Sequence, residues 1–144
     1  MMYLCIGRDV KKCAKSICQE LNEHFLCPML SDAVQIKEEK GSISLQCEDG
    51  ALFCLPSNDC SKLPIYHSSA EEMAHYLWCR LVRTLGVEQL TSRGVVSMEM
   101  GVSEAPNQTA YFRCAVPLNE AALAVIESST KMKRPTGGCS TCAN

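Results

Sequence analysis

The chain has 144 residues, 47% of them hydrophobic, and a formal net charge of -2. That is enough apolar material for one globular domain, with too little excess charge to make nucleic acid or an anionic membrane its main partner. The longest strongly apolar run, "AALAVI" from Ala121 to Ile126, is far too short to cross a bilayer.

The opening "MMYLCIGRDVKK" has neither the apolar stretch nor the cleavage site of a signal peptide, so the default compartment is cytoplasmic. Residues 9–25 then read as an amphipathic helix. Asp9 serves as its cap, and Val10, Cys13, Ala14, Ile17, Leu21 and Phe25 recur at helical steps. Cys27-Pro28 ends it. A hairpin follows in "GSISLQCEDGALFCLP". Asp49-Gly50 suits a two-residue turn, with Ile43, Leu45 and Cys47 in phase with Leu52 and Cys54. "SSAEEMAHYLWCRLVRTLG" is the clearest helix. Ser68 with Glu71, or Ser69 with Glu72, forms a capping box, and Gly86 supplies the stop. Its buried stripe is Met73, Leu77, Trp78, Leu81, Val82 and Leu85. Two strands, 95–103 and 109–116, are joined across "EAPNQ", and a short helix occupies 120–127.

The expected fold is α+β: an antiparallel sheet with two amphipathic helices packed on one face, and open sheet edges that favour an oligomer. The domain spans 1–127, with 128–144 as a flexible tail. Eleven cysteines are an odd number for a disulfide framework. Most, including Cys13, Cys47, Cys54 and Cys114, stand where small apolar residues would serve, which predicts reduced thiols. One pair, Cys139 and Cys142 in the tail, has CxxC spacing, and a lone pair is a weak zinc signal.

Little else carries chemistry by motif. His24, His67 and His75 show no metal-binding spacing. His75 reads as a surface or packing residue and His67 as solvated, while His24 sits where the helix dipole favours an imidazolium. Glu104 is the exception. Val96, Met98, Met100 and Val102 form the apolar face of a strand, and the next residue in phase is Glu104. A carboxylate there has either reached solvent or stands at a pocket mouth. In a pocket it would accept two parallel hydrogen bonds from a cyclic amidine or guanidine-like ligand edge.

"SSAEEMAHYLWCRL" followed by "VVSMEMGVSEAPNQTAYF" resembles the C-terminal half of the 6-pyruvoyl-tetrahydropterin synthase and 6-carboxy-tetrahydropterin synthase family. Residues 68–72 take the place of the family's helix-opening Pro-Thr-x-Glu-Asn, and Glu104-Ala105-Pro106 that of its Glu-Thr-Pro. "MYLCIGRDVKKCAKSICQELNEHFL" is similar to the end of its second strand and its first helix, with 41–55 as an inserted hairpin. The resemblance implies the tunnelling fold, in which subunits of a homo-oligomer join their sheets into a barrel. It also implies a pterin-like small molecule held between subunits by Glu104, with Ser69 and Glu71 near the same pocket. The family converts dihydroneopterin triphosphate to a tetrahydropterin, in pterin or queuosine-precursor biosynthesis. It uses zinc on three histidines, and a cysteine with an Asp-His pair.

No His-Gly-His occurs here, and the family's Leu-Asp-His reads Leu21-Asn22-Glu23. His24 lies one position later, about 100° further round if the helix continues. Zinc is therefore expected for the family without matched ligands in this sequence, and no catalytic residue is carried over. Two expectations result: a synthase-like protein whose zinc-binding strands lie upstream of Met1, or a noncatalytic homologue serving as a pterin-binding or oligomer-forming module.

Overall fold

The protein is described by a computed structural model covering residues 3–129. Helix α1 (Tyr3–Leu21) begins well before Asp9, because no proline interrupts Tyr3 to Arg8 and the single Gly7 costs only about 1 kcal/mol within a helix. Asp9 is thus an interior helical residue and not the cap. Its carboxylate pairs instead with Arg93 at 3.2 Å. The helix stops at Leu21, and Glu23 takes the left-handed conformation (φ 59°). Residues 25–28, expected to finish the helix, form strand β1 (Phe25–Pro28). It pairs in parallel with β5 (Cys60–Leu63).

Between these two lies a three-stranded antiparallel sheet, β2 (Val34–Glu39), β3 (Ser42–Cys47) and β4 (Leu52–Pro56). The expected hairpin is present but its register differs. Ile43 faces Leu55 and Leu45 faces Phe53, so Leu52 and Cys54 lie opposite Gln46 and Ser44. The cause is the turn. Cys47 N–H donates to the Ala51 carbonyl, enclosing Glu48, Asp49 and Gly50, one residue more than a two-residue turn. A shift of one residue moves every side chain to the other face. Cys54 is accordingly exposed, where the sequence suggested an apolar role. The two-residue turn joins β2 to β3 instead: Lys40 (φ 49°) and Gly41 (φ 80°) both adopt the positive φ that a type I′ turn requires.

Helix α2 (Ala70–Leu85) is followed, after Gly86 (φ 83°), by the short α3 (Val87–Ser92), which the sequence reading left out. The hairpin β6 (Ser97–Ala105) and β7 (Gln108–Ala115) and helix α4 (Glu120–Ser128) lie within two residues of expectation. The architecture is α+β as expected, with the strands grouped in three small sheets. Of the tail, 130–144 lies outside the described residues, and with it Cys139 and Cys142.

The main core sits between α2, α4 and the apolar face of β6 and β7. Trp78, Val82, Val87, Leu90 and Leu123 are fully or nearly fully buried there, and Met98, Met100, Phe112 and Cys114 pack against them. A second cluster joins Cys27 and Cys60 to Ile43 and Leu45, seating the three-stranded sheet on the β1–β5 pair. The third holds Leu63, Ile65 and Met73, with Leu21, Leu26 and Val102 packed around them. No helix of the described residues is long and apolar enough to cross a membrane.

Candidate functional site

Along β6 the side chains alternate as expected: Met98, Met100 and Val102 are half-buried, and Ser97, Glu99, Gly101 and Ser103 exposed. Continued regularly, the alternation would turn Glu104 toward the helices. It does not continue. The ladder pairs Ser103 with Thr109 and then Ala105 with Gln108, so Glu104 falls in an irregularity and has no cross-strand partner. A bulge of this kind redirects one side chain without ending the strand. Glu104 is exposed, and among the described residues no hydrogen bond or ion pair engages its carboxylate. Pro106 and Asn107 (φ 67°) then reverse the chain.

The other two expected residues lie at the start of α2. Ser69 is the N-cap, its hydroxyl accepting from the Glu72 N–H at 3.4 Å. Of the two caps the sequence allowed, the structure therefore uses Ser69, without the return bond from Glu72 to the Ser69 N–H that would complete a capping box. The Glu72 carboxylate reaches further back, accepting from the N–H of Tyr66 at 2.8 Å and of His67 at 3.2 Å. Glu71 is exposed in the first turn. Ser68 donates to the Leu26 carbonyl at 3.0 Å, tying this helix start to β1.

Helix α2 and strand β6 run in opposite directions in contact. Trp78 bonds the Met98 carbonyl, while Met73, earlier on the helix, shares a cluster with Val102, later on the strand. Ser69 and Glu71 precede Met73 and Glu104 follows Val102, so all three stand at one end of this layer. The chain has a cavity of about 400 Å³ lined by Ile65, Tyr66, His75, Tyr76, Cys79 and Arg80, among others. Another, of about 410 Å³, runs between α1 and the α2–α3 corner. Neither includes Glu104, Ser69 or Glu71.

The histidines are placed differently from one another. His75 is buried and packs edge-on against Phe112. Its Nε2 lies 2.9 Å from the Ile126 carbonyl, which only accepts, so that nitrogen carries the proton. It cannot then take the proton of the Cys79 thiol 3.7 Å away, and burial pushes that thiol up to about 12. His67 is exposed at the helix entrance. His24 is exposed and donates from Nδ1 to the Asn22 carbonyl at 2.7 Å. Because the helix ends at Leu21 and Glu23 is left-handed, His24 is not one further step round α1. Among the described residues no group of three or more His, Cys, Asp or Glu side chains is placed to hold a metal ion. They do not fit the zinc centre that the resemblance implies.

Sequence reasoning missed the bulge at Glu104. No residue type announces it; the only signal was the conflict between an apolar face and a carboxylate in phase with it.

No family model matches the sequence, and no curated protein matches it. Solved structures do. The chain is 36% identical to Plasmodium falciparum 6-pyruvoyl tetrahydropterin synthase, at a TM-score of 0.73, over 76% of this chain and 67% of that one. Against the Plasmodium vivax synthase the identity is 34% and the TM-score 0.74, over 76% of this chain and 68% of that one. A catalytic-residue variant of the vivax protein, glutamate to alanine, matches at 34% identity and a TM-score of 0.74, over 76% of this chain and 67% of that one. The matched order of helices and strands, shared at this identity, places the chain in the 6-pyruvoyl tetrahydropterin synthase family.

Proposed function

We propose that the chain is a 6-pyruvoyl tetrahydropterin synthase-like protein that holds a pterin-like ligand on Glu104. The family reaction, dihydroneopterin triphosphate to a tetrahydropterin, is the chemistry this site would serve, in pterin or queuosine-precursor synthesis in the cytoplasm. The observation that carries the reading is the bulge. It lifts an unpaired carboxylate out of the ladder at a strand end, where its two oxygens face solvent and can accept a fork of two N–H groups. Ser69 and Glu71, at the same end of the α2–β6 layer, are proposed to border the ligand. Ser69 keeps its hydroxyl proton for this, since its oxygen serves the cap as acceptor.

A homo-oligomer fits the same geometry. Neither of the two cavities described above encloses Glu104, and a neighbouring subunit packed against the β6–β7 end would supply the missing wall. The vivax relative has a glutamate as a catalytic residue, so a cysteine is not assumed for that role here.

Calorimetric titration with a pterin tests the anchor. Binding should be lost in Glu104→Gln, which keeps the size and removes the charge. Equal affinity in the variant would refute the assignment. Sedimentation velocity on the same sample tests the oligomer.

A further inference from the structure

The ladder position next to Glu104 carries a pair of hydroxyls. Ser103, the residue before it, faces Thr109 across the ladder, and their hydroxyl oxygens are 2.7 Å apart. Either can be the donor. Two hydroxyls in contact carry two protons, of which the mutual bond uses one. The other remains to donate, one residue along the strand from the bulged Glu104, whose carboxylate can only accept. A donor next to a two-oxygen acceptor is the complement of a ring edge that presents two N–H groups followed by a carbonyl. Glu104 alone would hold any cyclic amidine.

We propose that the Ser103–Thr109 hydroxyl pair selects the ligand held on Glu104, donating to the ring carbonyl adjacent to the N–H fork. This rests on the reading of Glu104 as the anchor. The device requires hydroxyls on both strands: each orients the other, and the cross-strand register at the bulge keeps the pair at the hairpin tip. A purely structural Ser–Thr pair would strengthen the hairpin without any effect on ligand choice.

The probes are pterin and its 4-thio analogue, which keeps both N–H donors but replaces the carbonyl oxygen with sulfur, a weaker acceptor. Affinities are measured on the full chain by fluorescence titration. The wild type should prefer pterin by about fivefold, the worth of one hydrogen bond at a solvent-facing site. Ser103→Ala with Thr109→Val should bring the two affinities together. The exchange Ser103→Thr with Thr109→Ser retains both hydroxyls and should keep the preference, which guards against a folding defect in the first variant. Pterin binding with the same preference in both variants would overturn the hydroxyl role and leave Glu104 as anchor. Failure of the wild type to bind either probe would overturn the anchor and the selection together.

Discussion

The indole N–H of Trp78 donates to the main-chain carbonyl of Met98 at 3.0 Å, fastening the middle of α2 to the start of β6. Trp78 is fully buried, and its ring also meets Phe112 of β7 edge-on with centroids 5.5 Å apart. One side chain therefore joins the helix to both strands of the hairpin that carries Glu104. Trp78→Phe would remove the indole donor from the Met98 carbonyl and open space in the core. We expect a loss of about 2–4 kcal/mol, read from urea unfolding followed by circular dichroism. Arg113→Gln, which removes the exposed pair with Glu99 at 2.9 Å, should cost less than about 1 kcal/mol.

The start of α2 allows capping to be separated from ligand contact. Ser69→Ala removes the cap oxygen and should cost about 1 kcal/mol. Glu72→Ala removes the acceptor of two backbone N–H groups, at Tyr66 and His67, and should cost about 1–3 kcal/mol. Only the first deletes the hydroxyl proposed to border the ligand. If Ser69 contacts it, pterin affinity falls in Ser69→Ala and holds in Glu72→Ala. Equal losses in the two variants would assign Ser69 to the cap alone.

Legibility followed how local the cause was. Helix α2 was plain in the sequence because its cap, its apolar stripe and its terminating glycine lie within one segment and agree. The β6 alternation was plain for the same reason. Helix α1 began too late in the reading because Asp9 looks like a cap, while its actual partner, Arg93, is remote in sequence. Strands β1 and β5 have four residues each, and they pair in parallel across the whole intervening three-stranded sheet, so neither shows a period of its own. Asp49-Gly50 was a sound turn signal whose loop length was off by one, and that error exchanged the faces of β4. The carboxylate of the candidate site was legible as an anomaly. Its resolution by a bulge depends on how β7 registers against β6, which no segment alone encodes.

The Lys40-Gly41 turn offers a test of backbone strain. Lys40 at φ 49° occupies a region that an L side chain enters at a cost, and Gly41 at φ 80° is in one that glycine enters freely. Lys40→Asn should stabilise by a few tenths of a kcal/mol, since asparagine tolerates this conformation better. Gly41→Ala should destabilise by about 1 kcal/mol or more, although no described atom obstructs the added methyl. Thermal unfolding of the two variants checks both signs. A neutral Gly41→Ala would mean that the turn relaxes to another type.

Cys79 gives the expected pH dependence. Burial is the first cause of its pKa standing at about 12, followed by the nearby charge of Glu127 and by Cys114. The folded protein thus holds the thiol proton more tightly than the unfolded chain does. The stability this contributes is complete below the ordinary thiol pKa and is lost as pH rises toward about 12. Cys27 and Cys60 shift in the same direction, again chiefly through burial, so they add to the same alkaline decline. In Cys79→Ala the fall in melting temperature above about pH 9 should therefore be shallower than in the wild type, without vanishing. Thiol labelling checks the cause independently. With iodoacetamide at about pH 8, the exposed Cys18 and Cys54 should react first and Cys79 only as the protein unfolds. Labelling of Cys79 in the native state at the rate of Cys54 would show that the α2–α4 contact opens, and the alkaline slope would then lose its explanation.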